Sequence, residues 1–291
     1  DRFFVESDGE RYEARILPVP SYHDKKTKGG EPYTWLAITH SDRVRISPIG
    51  GCAMACKFCD IPYVARYRMK SIEDLVESVR TALEDMALPA QHVLISGGTP
   101  RPKDYEWENE VYEAVARAFP GVNVDVMMVP MPGLLDARRL KEAGVHGLSI
   151  NIELWNQEIA RKIMASKVKA GRQLYFDFIE DAVEVFGADG KVRSLILVGI
   201  EPLEDTLKGV EALAQLGCEP VLSPFRPDPA TPMRNDLPPS VEMLVEVYER
   251  SLEIVDRYGV KLGPRCIPCH HNTLTFADGS DAYYYSESKE R

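Results

Sequence analysis

The distribution of apolar and polar residues predicts a chain in which short strands alternate with amphipathic helices. Short apolar runs rich in Val, Leu and Ile predict six strands, over residues 43–49, 92–96, 122–129, 145–152, 192–198 and 219–223. Apolar residues at helical spacing predict helices over residues 71–86, 105–119, 134–143, 157–186, 204–216 and 240–258. The fourth of these helical patterns is interrupted near Gly171, whereas the third, fifth and sixth end at a glycine.

This order of elements predicts an α/β fold with a parallel sheet, because strand–helix–strand units form right-handed crossovers. Six units in series predict a partial (β/α)6 TIM-type barrel with N- and C-terminal extensions, and 291 residues suffice for one such domain. We divide the chain into an N-terminal extension (1–40), a barrel core (41–230) and a C-terminal helix with an irregular tail (231–291). In such barrels the chemistry lies at the carboxyl ends of the strands.

Composition narrows the expected partners. The chain has 35 Lys and Arg against 45 Asp and Glu, a formal net charge of −10, so we expect no nucleic-acid partner. We expect no membrane partner either, because no apolar run is long enough to cross a bilayer. No signal peptide is recognised, and clustered cysteines without an obvious disulfide framework favour metal ligation and a cytoplasmic location.

A cysteine motif follows the first predicted strand. Cys52, Cys56 and Cys59 have the spacing C-x3-C-x2-C in a loop that begins with two glycines. Three thiolates can hold three irons of a cubane cluster, and the fourth iron is then open to a small ligand. The alternatives are buried apolar cysteines, a disulfide set, or a zinc site that uses Cys266 and Cys269 as its second pair.

The cysteine loop, with Phe58 before its last cysteine, resembles the signature of the radical S-adenosylmethionine (radical SAM) superfamily. The resemblance extends over residues 43–226, and the fifth and sixth strand–helix units are most similar to the biotin synthase and lipoyl synthase branch. It implies a [4Fe–4S] cluster on Cys52, Cys56 and Cys59 that binds S-adenosylmethionine at its open iron. It also implies an oxygen-sensitive enzyme that cleaves S-adenosylmethionine reductively and carries out radical chemistry on a small-molecule substrate. A one-electron donor such as flavodoxin or ferredoxin would supply the electron.

Two further motifs extend the resemblance. Gly97, Gly98 and Thr99 follow the second strand and are similar to the family's Gly-Gly-Glu-Pro-type motif, which binds the methionine amino group, with Thr99 replacing the acidic residue. The alternative is a simple glycine turn. Asn151 and Glu153 alternate at the end of the fourth strand, where the family holds the ribose or the methionine moiety. They could instead be a solvated strand end.

The remaining cofactor residues are assigned from the resemblance. Gly199 and Ile200 end the fifth strand, where apolar residues of the family contact the adenine. The glutamate of that motif corresponds to Glu201 or Glu204. Arg172 could bind the cofactor carboxylate through its guanidinium, and the alternative is a surface helix residue.

The second cysteine group is Cys266 and Cys269, followed by two histidines. We expect a site role, either as ligands of an auxiliary iron–sulfur cluster in a sulfur-inserting enzyme or as a catalytic thiol near the barrel mouth. A structural turn or zinc site is the alternative, and the match to the haem attachment sequence C-x-x-C-H is taken as chance. A competing hypothesis is a non-enzymatic iron–sulfur or zinc protein in which both cysteine groups form one closed site. The sixth cysteine, Cys218, is expected in the core.

Overall fold

The structure is a computed structural model that describes residues 3–14 and 16–274. Its strands are β1 (Phe3–Ser7), β2 (Glu10–Ala14), β3 (Ala37–His40), β4 (Arg43–Ile46), β5 (Ile49–Gly50), β6 (Arg68–Met69), β7 (His92–Ile95), β8 (Asn123–Met127), β9 (Gly147–Ser149), β10 (Val192–Val198) and β11 (Glu219–Pro224). Its α-helices are α1 (Tyr33–Leu36), α2 (Ile61–Val64), α3 (Ile72–Leu83), α4 (Tyr105–Ala118), α5 (Ala137–Ala143), α6 (Gln157–Ile163), α7 (Ala165–Ala170), α8 (Arg172–Phe186), α9 (Leu203–Gln215) and α10 (Val241–Arg257). Two 3-10 helices are η1 (Pro102–Asp104) and η2 (Ile267–Asn272).

A curled seven-stranded sheet forms the body of the protein. Its strand order is β11-β10-β9-β8-β7-β4-β3, and the six strands from β4 to β11 in this order are parallel. Helices follow the parallel strands, as in a TIM-type barrel that is not closed. The predicted partial (β/α)6 barrel is therefore confirmed.

The seventh strand, β3, was not predicted. It pairs antiparallel with β4, so that Ala37 lies opposite Ile46 and His40 lies opposite Arg43. A two-residue turn joins the two strands, and its first residue, Ser41, has φ +53°. The proposed segment boundaries remain predictions, but the sheet takes its edge strand from the segment that we assigned to the N-terminal extension.

Helices α3, α6 and α10 begin within one residue of the predicted starts, and a side chain caps each of them. Ser71 caps α3, and its Oγ accepts a hydrogen bond from the Asp74 backbone N–H at 3.1 Å. The long helical pattern at 157–186 is divided into α6, α7 and α8, with breaks at Met164 and at Gly171, whose φ is +89°. Across residues 3–14 and 16–274, no helix is both long and apolar enough to cross a membrane.

Strand alternation separates an apolar core from a polar interior. On β4, Val44 and Ile46 are fully buried in the main hydrophobic core, while Arg43 and Arg45 project to the opposite side. On β7, Val93 and Ile95 likewise belong to the core. The polar side of these strands faces the interior of the half-barrel.

Candidate active site

The cysteine loop lies at the carboxyl end of β4, after the short strand β5. The sulfur of Cys52 accepts hydrogen bonds from two backbone N–H groups, those of Met54 at 3.3 Å and Thr99 at 3.1 Å. These two hydrogen bonds hold the sulfur in a fixed position beside the glycine motif. Cys52 is therefore preorganised as a metal ligand.

The predicted glycine motif packs directly against this loop. The Ala53 backbone N–H donates to the Thr99 carbonyl oxygen at 2.9 Å. A Cβ atom on Gly98 would lie 1.7 Å from the Gly51 carbonyl oxygen, so this position can hold only glycine. Gly97 has φ +150°. The motif is thus more than a simple turn, because its close backbone contacts fix the position of the cysteine loop.

A cavity of about 320 Å³ opens above the carboxyl ends of the strands. The predicted site residues in its wall are Cys52, Cys56, Cys59, Gly97, Thr99, Asn151 and Glu153. Phe58, from the aromatic position of the cysteine motif, also lines it. Gly98 instead lines an adjacent cavity of about 160 Å³ behind the loop. The structure therefore brings together residues from three separate strand–helix units.

Asn151 and Glu153 enter this cavity from the segment that follows β9. The Asn151 Oδ1 accepts hydrogen bonds from the Ser149 hydroxyl at 2.8 Å and from the Leu195 backbone N–H at 3.2 Å. Glu153 has φ +64°, and its backbone pairs with β10 through Leu195 and Leu197. Its carboxylate is buried at 7% exposure, which argues against a solvated strand end.

The partner of Glu153 is a lysine that sequence reasoning missed. The Lys167 Nζ, from α7, lies 2.6 Å from the Glu153 Oε1. Burial by itself lowers the pKa of Lys167, but the Glu153 carboxylate more than offsets this effect, and the pKa is raised above the ordinary lysine value. The two side chains form a buried ion pair in the cavity wall.

A second unpredicted cation in the cavity is Arg45 of β4. Its Nε is buried and has no hydrogen-bond partner among the described residues. Burial, with a smaller contribution from Arg43, lowers the pKa of Arg45. An unsatisfied guanidinium N–H in a cavity wall suits a ligand that carries a carboxylate or another acceptor. The alternation Arg43-Val44-Arg45-Ile46 was the sequence signal that could have identified it.

Burial also sets the protonation state of Cys56 and Cys59. It raises the pKa of the Cys56 thiol to about 12 and that of the Cys59 thiol to about 11. Both thiols are therefore protonated at neutral pH until a metal displaces the protons.

Besides Gly98, three predicted cofactor residues do not line the cavity. The Arg172 guanidinium stacks 4.2 Å from the ring centroid of Trp155 and donates to its carbonyl oxygen at 3.1 Å. A Cβ on Gly199 would meet Pro239 at 2.7 Å. Ile200 packs against the small apolar cluster that contains Cys56. Contacts of Arg172, Gly199 and Ile200 with a cofactor remain predictions.

The two candidate glutamates after β10 have different environments. The carboxylate of Glu201 is buried and accepts hydrogen bonds from the backbone N–H groups of Trp155, at 3.0 Å, and Asn156, at 2.6 Å. Glu204 is exposed and pairs with Arg250 at 2.6 Å. Glu201 therefore orders the segment that follows Glu153, whereas Glu204 lies on the surface.

The second cysteine group lies at the opposite end of the strands. The Cys266 sulfur is 3.3 Å from the Nε2 of His92, the first residue of β7, and the Cys269 sulfur is 2.9 Å from the Nη1 of Arg43, the first residue of β4. His92 and the cavity residue Ser96 are four residues apart, which is about 13 Å at roughly 3.3 Å per residue. The expected position near the barrel mouth is therefore wrong, and the two cysteine groups do not form one closed site. The catalytic role of Cys266 and Cys269 stays a prediction.

Cys218 and Asn272 lie in different environments, the core and the cavity wall. Cys218 is fully buried in the main core, as expected. Asn272, near the end of the described chain, was not predicted to belong to the site. It lines the cavity, and its carbonyl oxygen accepts a hydrogen bond from the Ser223 hydroxyl at 2.7 Å.

Known proteins resemble this chain in sequence and in fold. The bacteriochlorophyllide c C-7(1)-hydroxylase of Chlorobaculum limnaeum is 23% identical over 138 residues, 47% of this chain and 34% of the hydroxylase. The FeFe-hydrogenase maturase HydG of Carboxydothermus hydrogenoformans superimposes with a TM-score of 0.57 at 15% identity, covering 77% of this chain and 54% of HydG. SuiB of Streptococcus suis gives a TM-score of 0.56 at 14% identity, covering 77% of this chain and 49% of SuiB.

The chain thus spans about a third of the hydroxylase and about half of each of these solved structures. The two structures support the half-barrel fold. Resemblance to the biotin synthase and lipoyl synthase branch remains a prediction. The family model for the radical SAM superfamily matches residues 46–224, from the last residue of β4 to the last residue of β11. Because this match covers more than half of the chain and contains all three cysteines of the loop, the protein belongs to the radical SAM superfamily.

Proposed function

We propose that the protein binds a [4Fe–4S] cluster through Cys52, Cys56 and Cys59, cleaves S-adenosylmethionine reductively, and carries out radical chemistry on a small-molecule substrate. The observation that carries this proposal is the single cavity that contains the three cysteines together with Gly97, Thr99, Asn151 and Glu153. When bound, the cluster would supply one electron for the reductive cleavage of S-adenosylmethionine, and Cys52, Cys56 and Cys59 would hold it.

The cysteine loop fits a cluster on three counts. Its donor set is three thiols on one short loop, and Cys52 already receives two backbone N–H groups. The close approach of Gly98 to Gly51 leaves no room for a side chain beneath the loop.

The polar residues of the cavity match the chemistry of S-adenosylmethionine. The cofactor carries a carboxylate and an ammonium group, and the cavity presents Arg45 and Lys167 as cations and Glu153 as an anion. Glu153 and Lys167 neutralise each other in the ion pair. Arg45 is the cation of the cavity wall whose Nε–H is available to a ligand. We assign Arg45 to the carboxylate and the Gly97–Thr99 backbone to the ammonium group.

The cavity has the size of a small-molecule site. Small-molecule sites occupy about 300–1,000 Å³, and the cavity measures about 320 Å³. Met127, Met128 and Val129 provide an apolar wall opposite the cysteine loop, which excludes water from the reacting atoms. The proposed electron source is a one-electron donor such as flavodoxin or ferredoxin, because each reductive cleavage consumes one electron.

The test is anaerobic reconstitution with iron and sulfide, followed by chromatography of the products released from S-adenosylmethionine after reduction. The unmodified protein should release a cleavage product such as 5′-deoxyadenosine, and Cys56→Ala should release none. Cys218→Ala is the matched control, since it removes another buried cysteine outside the cavity, and it should retain cleavage. A chain that holds no iron, or cleavage that survives Cys56→Ala, would overturn the proposal.

A further inference from the structure

A second group of potential metal ligands lies at the amino ends of the strands. The Nε2 of His92 and the sulfurs of Cys266 and Cys269 all lie within 4.8 Å of one another. The Cys266 sulfur is 3.3 Å from the His92 Nε2 and 3.1 Å from the Cys269 sulfur. His92 is 2% exposed and Cys266 is 4% exposed. Three soft or borderline donors therefore converge on one point that is shielded from solvent.

The fold assembles this group from distant parts of the chain. His92 projects inward from β7, on the side opposite the core residue Val93. Cys266 is 174 residues after His92 in the sequence. It lies in the segment that follows Gly263, and Gly263 pairs with Val221 of β11. A hydrogen bond of 2.9 Å from the Cys269 N–H to the Cys266 carbonyl oxygen closes the turn between these two cysteines. A C-x2-C turn of this kind directs two sulfurs to the same side, as zinc sites require.

The surroundings supply a partner for the sulfurs. The Arg43 Nη1 donates to the Cys269 sulfur at 2.9 Å, and Arg43 is 3% exposed. A buried guanidinium needs an anionic or strongly accepting partner, and a metal-bound thiolate is one. The neighbouring Arg193 is paired with the Asp125 carboxylate.

The distances favour one ion over an iron–sulfur cluster. A tetrahedral ion with metal–sulfur bonds of about 2.3 Å holds two thiolates about 3.8 Å apart. The observed separation of 3.1 Å needs only a small outward shift of each sulfur. Thiolates on separate irons of a cubane stand further apart, because bridging sulfides separate the irons. The auxiliary cluster that the sequence suggested is thus disfavoured by the geometry of this group.

We propose that His92, Cys266 and Cys269 bind a single divalent metal ion of the zinc class at the floor of the half-barrel. The ion anchors η2 to β7 and so fixes the segment that carries Asn272, three residues beyond Cys269, into the wall of the upper cavity. This site is separate from the cysteine loop and stands independently of the proposed function.

The test uses the full-length Cys52→Ala/Cys56→Ala/Cys59→Ala variant, in which the loop cannot hold iron. Elemental analysis should find one zinc-class ion per chain and no acid-labile sulfide. Adding His92→Gln or Cys266→Ser should lower this content at least tenfold, whereas Cys218→Ala should leave it unchanged. Cobalt(II) loaded into the site should give the strong visible bands of a tetrahedral ion and a thiolate charge-transfer band in the near ultraviolet.

A second measurement does not depend on whether these variants fold. On the Cys52→Ala/Cys56→Ala/Cys59→Ala chain without further substitution, a chelator should extract one equivalent of the ion and lower the Tm, and added zinc should restore it. Three results would overturn the proposal. They are a chain without metal whose Cys266 and Cys269 form a disulfide by mass spectrometry, iron with equimolar sulfide at this site, and a metal content unaffected by Cys266→Ser.

Discussion

A methyl group added to Gly98 would lie 1.7 Å from the carbonyl oxygen of Gly51, and 2.9 Å from the Cα of Cys52. The glycine motif after β7 and the cysteine loop after β5 are therefore built as one unit. Any side chain at position 98 must push the loop away from β7, and with it the ligand position of Cys52.

Gly98→Ala should reduce iron incorporation at the cysteine loop at least tenfold, because the displaced backbone no longer presents Cys52 with Cys56 and Cys59. Iron and sulfide analysis after anaerobic reconstitution measures this loss. Gly209→Ala is the control, since its Cβ would meet only side-chain atoms, with the end of Ile196 nearest at 3.3 Å, and Ala favours a helix. Equal iron content in Gly98→Ala and Gly209→Ala would refute the coupling.

The ion pair in the cavity wall provides a prediction about stability. Lys167→Met removes the partner of the buried Glu153 carboxylate, and the free energy of unfolding should fall by about 3 kcal/mol, because an unpaired buried charge is costly. Denaturant unfolding measures the change. Lys169→Met, on the exposed side of the same helix α7, should change stability by less than about 0.5 kcal/mol. A small effect at both positions would show that Glu153 is not held by Lys167.

The structure and the sequence suggest different roles for Arg172. Because its guanidinium stacks on Trp155 and donates to that residue's carbonyl oxygen, Arg172→Met should lower the free energy of unfolding by about 1–2 kcal/mol. The affinity for S-adenosylmethionine, measured by equilibrium dialysis on the reconstituted protein, should change by less than threefold. Arg45→Met should weaken the same affinity more than tenfold. The reverse order of the two variants would restore Arg172 as the carboxylate clamp.

A buried glutamate far from the site predicts how stability depends on pH. Burial raises the pKa of Glu108, on α4, from 4.5 to about 8. Between these values the folded state holds a proton that the unfolded state has lost, so this residue makes stability fall as the pH rises from about 4.5 to 8. The stability that depends on this proton is present in full below pH 4.5.

Glu108→Gln should remove this pH dependence. The variant should match the unmodified protein near pH 5 and exceed it above pH 8 by a few kcal/mol, on the order of 1.4 kcal/mol per pKa unit. Thermal unfolding at a series of pH values measures the difference. Glu110→Gln, on the exposed side of α4, should follow the unmodified curve. Parallel curves for Glu108→Gln and the unmodified protein would mean that Glu108 is not protonated in the fold.

Local patterns were sufficient for the parallel strands, their helices and the ligands that follow them. Strand β10 has the predicted bounds at 192–198, and Asn151 and Glu153 reach the cavity because residues two apart on an extended segment face the same side. Strand β3 was missed because it has four residues and only two of them are buried. Its place is decided by pairing with β4, which a local pattern does not encode.

The missing site residues depend on tertiary contacts. Lys167 of α7 lies in the cavity wall beside Glu153. From sequence alone, a lysine in a helix is expected at the surface. His92 meets Cys266 across 174 residues of chain. The position of the C-x2-C turn, at the floor and not the mouth, is set by where the chain after α10 re-enters the sheet beside β11.

The most direct test of the central claim is the electron paramagnetic resonance spectrum of the reduced, reconstituted protein before and after S-adenosylmethionine is added. With Cys52, Cys56 and Cys59 as the only protein ligands of the cluster, one iron is open, so the added cofactor should shift the g-values of the reduced [4Fe–4S] cluster. A spectrum that is identical with and without S-adenosylmethionine would show that no iron is open to it and would contradict the account.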